Sequence, residues 1–181
     1  NNIDLNAKCT TKSGYYYKEE TNELTPLFIS VEKNHTKIVK LLLEQEKIDV
    51  NMKSIFKYQK VNGNFTQIGE KTALYKAVEN ENQEIVRLLL SRKEIDVNSK
   101  YIIKEEAPSK YCSEKTVLYL AAEKNNIEIV KLLLDCNDID VNIPMIRTYS
   151  SEASKSYEVK TILHLAVSEG NKDLVSILLD N

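Results

Sequence analysis

"EIVRLLLSRKEIDVN" spans Glu84–Asn98, and the closely similar "EIVKLLLDCNDIDVN" spans Glu128–Asn142. Laying the chain against itself shows that these are two of four copies of a larger unit. The copies are "LTPLFISVEKNHTKIVKLLLEQEKIDVN" (24–51), "KTALYKAVENENQEIVRLLLSRKEIDVN" (71–98), "KTVLYLAAEKNNIEIVKLLLDCNDIDVN" (115–142) and "KTILHLAVSEGNKDLVSILLDN" (160–181). "NIDLN" (2–6) is the tail of a fifth. Thr25, Thr72, Thr116 and Thr161 mark periods of 47, 44 and 45 residues, so the unit is duplicated rather than accidental.

Each copy reads as two short helices. The four threonines stand where a hydroxyl accepts from a free backbone N–H at a helix start. Pro26 follows Thr25 at the first helical position, where a missing N–H does no harm. Leu27 with Val31, Leu74 with Val78, Leu118 with Ala122, and Leu163 with Val167 then form one apolar stripe per helix. A break is predicted at Asn34, Glu81, Asn125 and Gly170; Asn and Gly tolerate the left-handed backbone there, and Glu81 fits poorly. The second helix, "EIVKLLL", is apolar around much of its circumference and is expected to be mostly buried. "IDVN" is expected to leave it as a short extended segment. Helices this short are marginal alone in water, so neighbouring copies must hold one another.

Thr-Pro-Leu-Phe, Thr-Ala-Leu-Tyr, Thr-Val-Leu-Tyr and Thr-Ile-Leu-His, each followed by "EIVKLLL" or its variant and, in three copies, by "IDVN", resemble the ankyrin repeat. The resemblance implies two antiparallel helices and a projecting β-hairpin per unit. The expected fold class is an all-α repeat solenoid of four helix-turn-helix units joined by extended hairpin loops. The expected units are 1–6 (partial), 7–51, 52–98, 99–142 and 143–181, read as a segment of a longer array. An ankyrin unit is about 33 residues long, and HEAT or armadillo units run about 40–47. The excess here lies in one place. From Asn6, Asn51, Asn98 and Asn142 to the next threonine the steps are 19, 21, 18 and 19. Roughly ten to thirteen residues have therefore entered every hairpin of a 33-residue unit. The family's usual histidine after Thr-x-Leu remains only as His164; Phe28, Tyr75 and Tyr119 replace it.

The enlarged fingers are 7–23, 52–70, 99–114 and 143–159. Asn62-Gly63 suits a two-residue hairpin turn with two positive φ angles. Ser13-Gly14 and Glu106-Ala107-Pro108-Ser109 are candidate tips for the first and third fingers, and "SSEAS" is a weaker one for the fourth. Tyr15, Tyr16, Tyr17, Tyr58, Tyr101, Tyr111, Tyr149 and Tyr157 lie in these segments, with Phe56 and Phe65. They either pair across strands or meet a partner directly.

Little else carries chemistry. The 25 basic and 27 acidic residues are interspersed, so no basic stripe invites nucleic acid. No apolar run approaches the roughly 18 residues of a membrane span. Cys9, Cys112 and Cys136 are odd in number and form no CxxC pair, which reads as free thiols in a reducing, cytoplasmic setting. His35 and His164 stand in different copies, without metal-ligand spacing, and no glycine motif cradles a phosphate. No catalytic residue, metal site or cofactor is expected, and the chain is not read as an enzyme.

The expected role is a protein-interaction scaffold acting through a concave helix face and the finger tips. Glu32, Lys33, Glu79, Asn80, Glu123, Lys124, Ser168 and Glu169, at the ends of the first helices, would supply the helix face. Tyr58, Phe65, Tyr111, Tyr149 and Tyr157 would supply the tips. The expected partner is an unidentified protein, with no nucleic acid, and the chain is expected to be a monomer. The alternatives are a targeting or regulatory module of a larger enzyme or membrane protein and, with less support, a nucleic-acid or small-ligand binder.

Overall fold

The computed structural model describes residues 3–15, 18–60, 66–106, 110–151 and 153–180. Along them a hairpin followed by a helix pair occurs four times. The first set is β1 (Cys9–Tyr15), β2 (Lys18–Leu24), α1 (Pro26–Glu32) and α2 (Thr36–Leu43). The second is β3 (Ser54–Lys60), β4 (Thr66–Lys71), α3 (Ala73–Glu79) and α4 (Gln83–Leu90). The third is β5 (Lys100–Glu106), β6 (Lys110–Thr116), α5 (Val117–Glu123) and α6 (Ile127–Leu134). The last is β7 (Met145–Ser150), β8 (Lys155–Lys160), α7 (Ile162–Ser168) and α8 (Lys172–Leu179).

The expectation of an all-α solenoid is overturned. The fingers do not project singly as loops; the strands described form one antiparallel sheet in the order β1 to β8. An isolated two-stranded hairpin is marginal and leaves both outer edges unpaired. Joining each hairpin to the next satisfies those edges, and the join keeps one register: Glu23 faces Ile55, Glu70 faces Ile102, and Glu114 faces Ile146. Ser13-Gly14 is not a tip but lies inside β1, opposite Glu20 and Glu19. Asn62-Gly63 and Ala107-Pro108-Ser109 lie outside the described residues. "SSEAS" does turn the chain, with the Ser151 amide donating to the Ser154 carbonyl at 2.8 Å.

The helices begin as the threonines dictate. Their hydroxyls accept from the amides of Phe28, Tyr75, Tyr119 and His164, one helical turn on. The breaks fall at the expected four positions, with φ of 55°, 57°, 54° and 64° at Asn34, Glu81, Asn125 and Gly170. Glu81 takes that backbone despite its side chain, and its carboxylate accepts from Lys124 and Asn126 of the following helix pair.

First helices pack on first helices (α1 on α3, α3 on α5, α5 on α7), and α2, α4 and α6 pack likewise in sequence. Leu74, Ala77, Val78, Ile85, Val86, Leu89, Ala121, Ala122, Ile129, Val130 and Leu133 are completely buried between them. The second helices are not uniformly buried, however. Ile38 and Leu41 on α2, and Leu179 on α8, are exposed, because no helix covers those outer flanks among the described residues.

"IDVN" is a turn rather than an extended segment, and its asparagine joins one copy to the next. The Asn51 side chain donates to the Glu94 carbonyl at 2.7 Å and accepts from the Asp96 amide at 2.8 Å. Asn98 does the same to Asp138 and Asp140, at 2.7 and 2.9 Å, and Asn6 to Lys47 and Asp49, at 2.9 and 2.8 Å. Asn98→Ala removes both bonds at one junction. It should lower the unfolding free energy by about 1–2 kcal/mol. The urea midpoint measures this, and an unmoved midpoint would mean that water substitutes for both bonds.

Candidate functional site

Strand register sorts the finger side chains onto two faces, because successive residues point to opposite sides of a sheet. One row across the sheet contains Ser13, Glu20, Tyr58, Gln67, Glu105, Tyr111, Tyr149 and Ser156. The next row on the same face contains Thr11, Asn22, Phe56, Gly69, Ile103, Ser113, Arg147 and Glu158. This is the face that meets the first helices. Phe56 packs on Phe28 with ring centres 5.4 Å apart, and Tyr101 packs on Tyr75 at 4.8 Å. The aromatics standing where a histidine was expected therefore anchor the sheet to the helices. Gly69 makes room for this, since a Cβ there would sit 3.2 Å from the Tyr101 ring.

Charge fills the corner between sheet and helices. Lys71 lies over the Tyr101 ring at 4.8 Å and pairs with Glu79 at 2.7 Å, while Lys76 holds the other Glu79 oxygen at 2.8 Å. In the third copy Glu123 takes Lys115 at 2.5 Å and Arg147 at 3.7 Å. Burial alone would raise the Glu79 pKa, but the hydrogen bonds and charges of Lys71 and Lys76 outweigh it and hold the carboxyl below its ordinary 4.5. A depressed carboxylate contributes stability that is complete above its unfolded pKa and is lost as pH falls through the folded value. Glu79→Gln should therefore flatten the loss of stability below pH 4.5 in thermal melts, relative to the parent chain. Identical acid profiles would show that the two lysines do not tune this carboxyl.

The expected site residues separate into distinct roles. Glu79 and Glu123 are tied down by lysines, Asn80 donates to the Val31 carbonyl at 3.1 Å, and Lys124 pairs with Glu81 at 3.1 Å. Asn80 and Lys124 thus tie one copy to its neighbour, while the lysine pairs of Glu79 and Glu123 tie helix to strand within a copy. Ser168 donates to the Leu165 carbonyl at 2.9 Å, and Glu169 and Lys33 are exposed. Glu32 is half-buried with no ion pair among the described residues, since Leu24 and Ile29 stand where Lys71 and Lys76 stand in the second copy.

Tyr58, Tyr111 and Tyr149 share the first row, with Tyr111 directly opposite Tyr149. Tyr58 is half-buried beside Glu20, and burial followed by that carboxylate's charge and hydrogen bond holds its hydroxyl above the usual range. Tyr157 lies on the opposite face and is 81% exposed; Phe65 lies outside the described residues. The sequence reading missed Glu20, which stands beside Tyr58, and Gln67 and Glu105, which lie between Tyr58 and Tyr111. Gln67 donates to Glu105 at 2.6 Å across two fingers. Counting alternate residues back from each helix would have found Glu20 and Gln67.

Cys112 and Cys136 are raised in pKa, first by burial and then by neighbouring carboxylates, which favours the thiol over the thiolate. Among the described residues no group of three or more His, Cys, Asp or Glu side chains is placed to hold a metal ion. No described helix is long and apolar enough to cross a membrane.

A family model of ankyrin repeats (3 copies) matches residues 4–101 and 100–181. The chain belongs to the ankyrin repeat family. Ankyrin repeats commonly mediate contacts between proteins and are generally non-catalytic. No curated protein matches this sequence. In this chain the described strands build one continuous sheet beside the helix stack.

Proposed function

We propose that this chain is a protein-binding scaffold without a reaction of its own, organised as ankyrin repeats at 7–51, 52–98, 99–142 and 143–181 and working in the cytoplasm. Its contact surface is the sheet face bearing Tyr58, Tyr111 and Tyr149, continued onto the first-helix ends at Glu32, Lys33, Ser168 and Glu169. The observation that carries this reading is register: tyrosines from three fingers fall on one row, with Glu20 beside Tyr58 and with Gln67 and Glu105 between Tyr58 and Tyr111. Tyrosine supplies contact area at low rotamer cost, and adjacent carboxylates and amides supply specificity. The other sheet face, with Lys57, Lys100, Lys104 and Glu114, reads as a solvated charged surface.

The test is a crosslinking pull-down from cell extract with three versions of the chain. Tyr111→Ser with Tyr149→Ser should lose the partner, while Tyr157→Ser on the far face should retain it. Equal recovery from all three would reject this surface.

A further inference from the structure

The second helices end alike in sequence, but one position differs in a way that changes the groove between copies. Leu43-Glu44-Gln45, Leu90-Ser91-Arg92 and Leu134-Asp135-Cys136 close α2, α4 and α6 at the same place in the unit. Between the first and second copies the chain fills this groove itself. Arg92 reaches back to the first copy: its Nη1 donates to the Leu43 carbonyl and, at 3.4 Å, to the Gln45 carbonyl. Its Nη2 pairs with Glu94. The last carbonyls of a helix lack partners within it and carry the negative end of its dipole, so a guanidinium group suits that place.

Between the second and third copies, the residue in the position of Arg92 is Cys136. Its thiol turns back onto its own helix, donating to the Leu132 carbonyl at 3.5 Å, and does not cross to the second copy. A cleft of about 420 Å³ opens there, with Leu90 and Ile95 on one side and Asp135, Cys136 and Asp138 on the other. Both walls belong to inner copies of the array. The groups that hold the Arg92 guanidinium recur around this cleft. Leu90 stands in the place of Leu43 and ends α4 with a carbonyl that has no donor among the described residues. Asp138 stands in the place of Glu94. Asp135 and Asp138 are exposed and have no ion pair among the described residues. Lys93 also lines the cleft, so two carboxylates there face one unpaired ammonium group among the described residues.

We propose that this cleft receives an arginine side chain of a protein partner, held as the chain holds its own Arg92 one copy earlier. The guanidinium group donates to the Leu90 carbonyl and pairs with Asp138, Asp135 adds its charge, and the methylene stem lies against Ile95. Lysine is the poorer fit, because one compact ammonium lacks the planar fork that meets a carbonyl and a carboxylate together. The cleft shares no residue with the tyrosine-bearing surface, and only the source of the arginine rests on the scaffold reading.

Amide NMR spectra of the isotopically labelled chain test this, with acetyl-Gly-Arg-Gly-amide as the probe. The arginine peptide should shift the amides of residues 90–97 and 135–139 along a saturating curve. The matching citrulline peptide, uncharged but of the same shape, should bind at least about tenfold more weakly, and the lysine peptide should fall between them. Asp138→Asn, at an exposed site, should weaken the arginine peptide by about the same factor. Cys136→Arg supplies the guanidinium group from within, so it should raise the melting midpoint by roughly 2–4 °C and abolish the shifts. Absence of saturating shifts, equal binding of the arginine and citrulline peptides, or unchanged binding to Asp138→Asn would overturn the proposal. So would a Cys136→Arg chain that still binds the peptide. Methylguanidinium binding with the peptide excluded would also overturn it, in favour of a free small guanidinium compound. Tyr111→Ser with Tyr149→Ser should leave all these readings unchanged, which separates failure of the tyrosine-bearing surface from failure of this cleft.

Discussion

Tyr75→Ala should lower the unfolding free energy by about 3–5 kcal/mol, the range seen when a fully buried aromatic is truncated. The ring is almost wholly buried and packs against Tyr101 of the next finger with centres 4.8 Å apart. The loss is therefore not confined to α3. Tyr101 would face a void, Lys71 would lose one of the rings beneath its ammonium group, and the hold of β5 on the helices would weaken. Burial pushes the Tyr101 hydroxyl up to about 12, with the Glu79 charge adding to it, so that hydroxyl stays protonated at neutral pH in its packed position. Urea denaturation followed by circular dichroism measures the total, and hydrogen exchange locates it. Amides of β4 and β5 should exchange faster than those of α6. Tyr75→Phe keeps the ring and should cost less than about 1 kcal/mol. If both variants cost the same, the aromatic packing is not what joins sheet to helices.

The second large effect depends on position in the array rather than on residue type. Ile129→Ala should cost about 2–5 kcal/mol, whereas Ile38→Ala, at the same place in the unit, should cost under about 1 kcal/mol. Both isoleucines occupy the third residue of a second helix, in "IEIVKLLL" and "TKIVKLLL". Ile129 is completely enclosed, but Ile38 faces outward with nothing packed over it among the described residues. Paired denaturation curves at low concentration decide the matter. Equal costs would mean that the flank of α2 is covered in solution even when the chain is dilute.

The contrast between these two isoleucines also shows what the sequence could disclose. Local rules were legible: the threonine caps, Pro26 at a helix start, and the four left-handed breaks all depend on residues within one turn of each other. Even Glu81, a poor fit by residue type, was located by its place in the repeat. What could not be read from one copy was anything set by its neighbours. Ile38 and Ile129 look alike in sequence, and only the stack distinguishes them. The eight-stranded sheet was missed for a related reason. Pairing between one finger and the next is made by backbone groups, which every residue carries, so the alternation of Phe56 and Tyr58 marks a strand without saying which strand lies beside it.

The candidate surface was half legible. Tyr58, Tyr111 and Tyr149 were singled out as aromatics in inserted segments, and register brings them onto one row. Tyr157 was chosen on the same grounds but stands one residue out of phase, on the other face. The helix-end carboxylates Glu79 and Glu123 were read as available to a partner, although lysines in the adjacent strands hold them. Those lysines lie eight residues upstream, a separation that no helical or strand period marks.

Strand order along the sheet is the order of synthesis, with every pairing made between neighbours in the chain. As the nascent polypeptide emerges, each finger finds the edge of its predecessor already laid down and needs to wait for nothing downstream. Each hairpin closes a short loop, and each join between fingers waits only for the helix pair between them. The sheet can grow at the pace of the ribosome, one finger at a time.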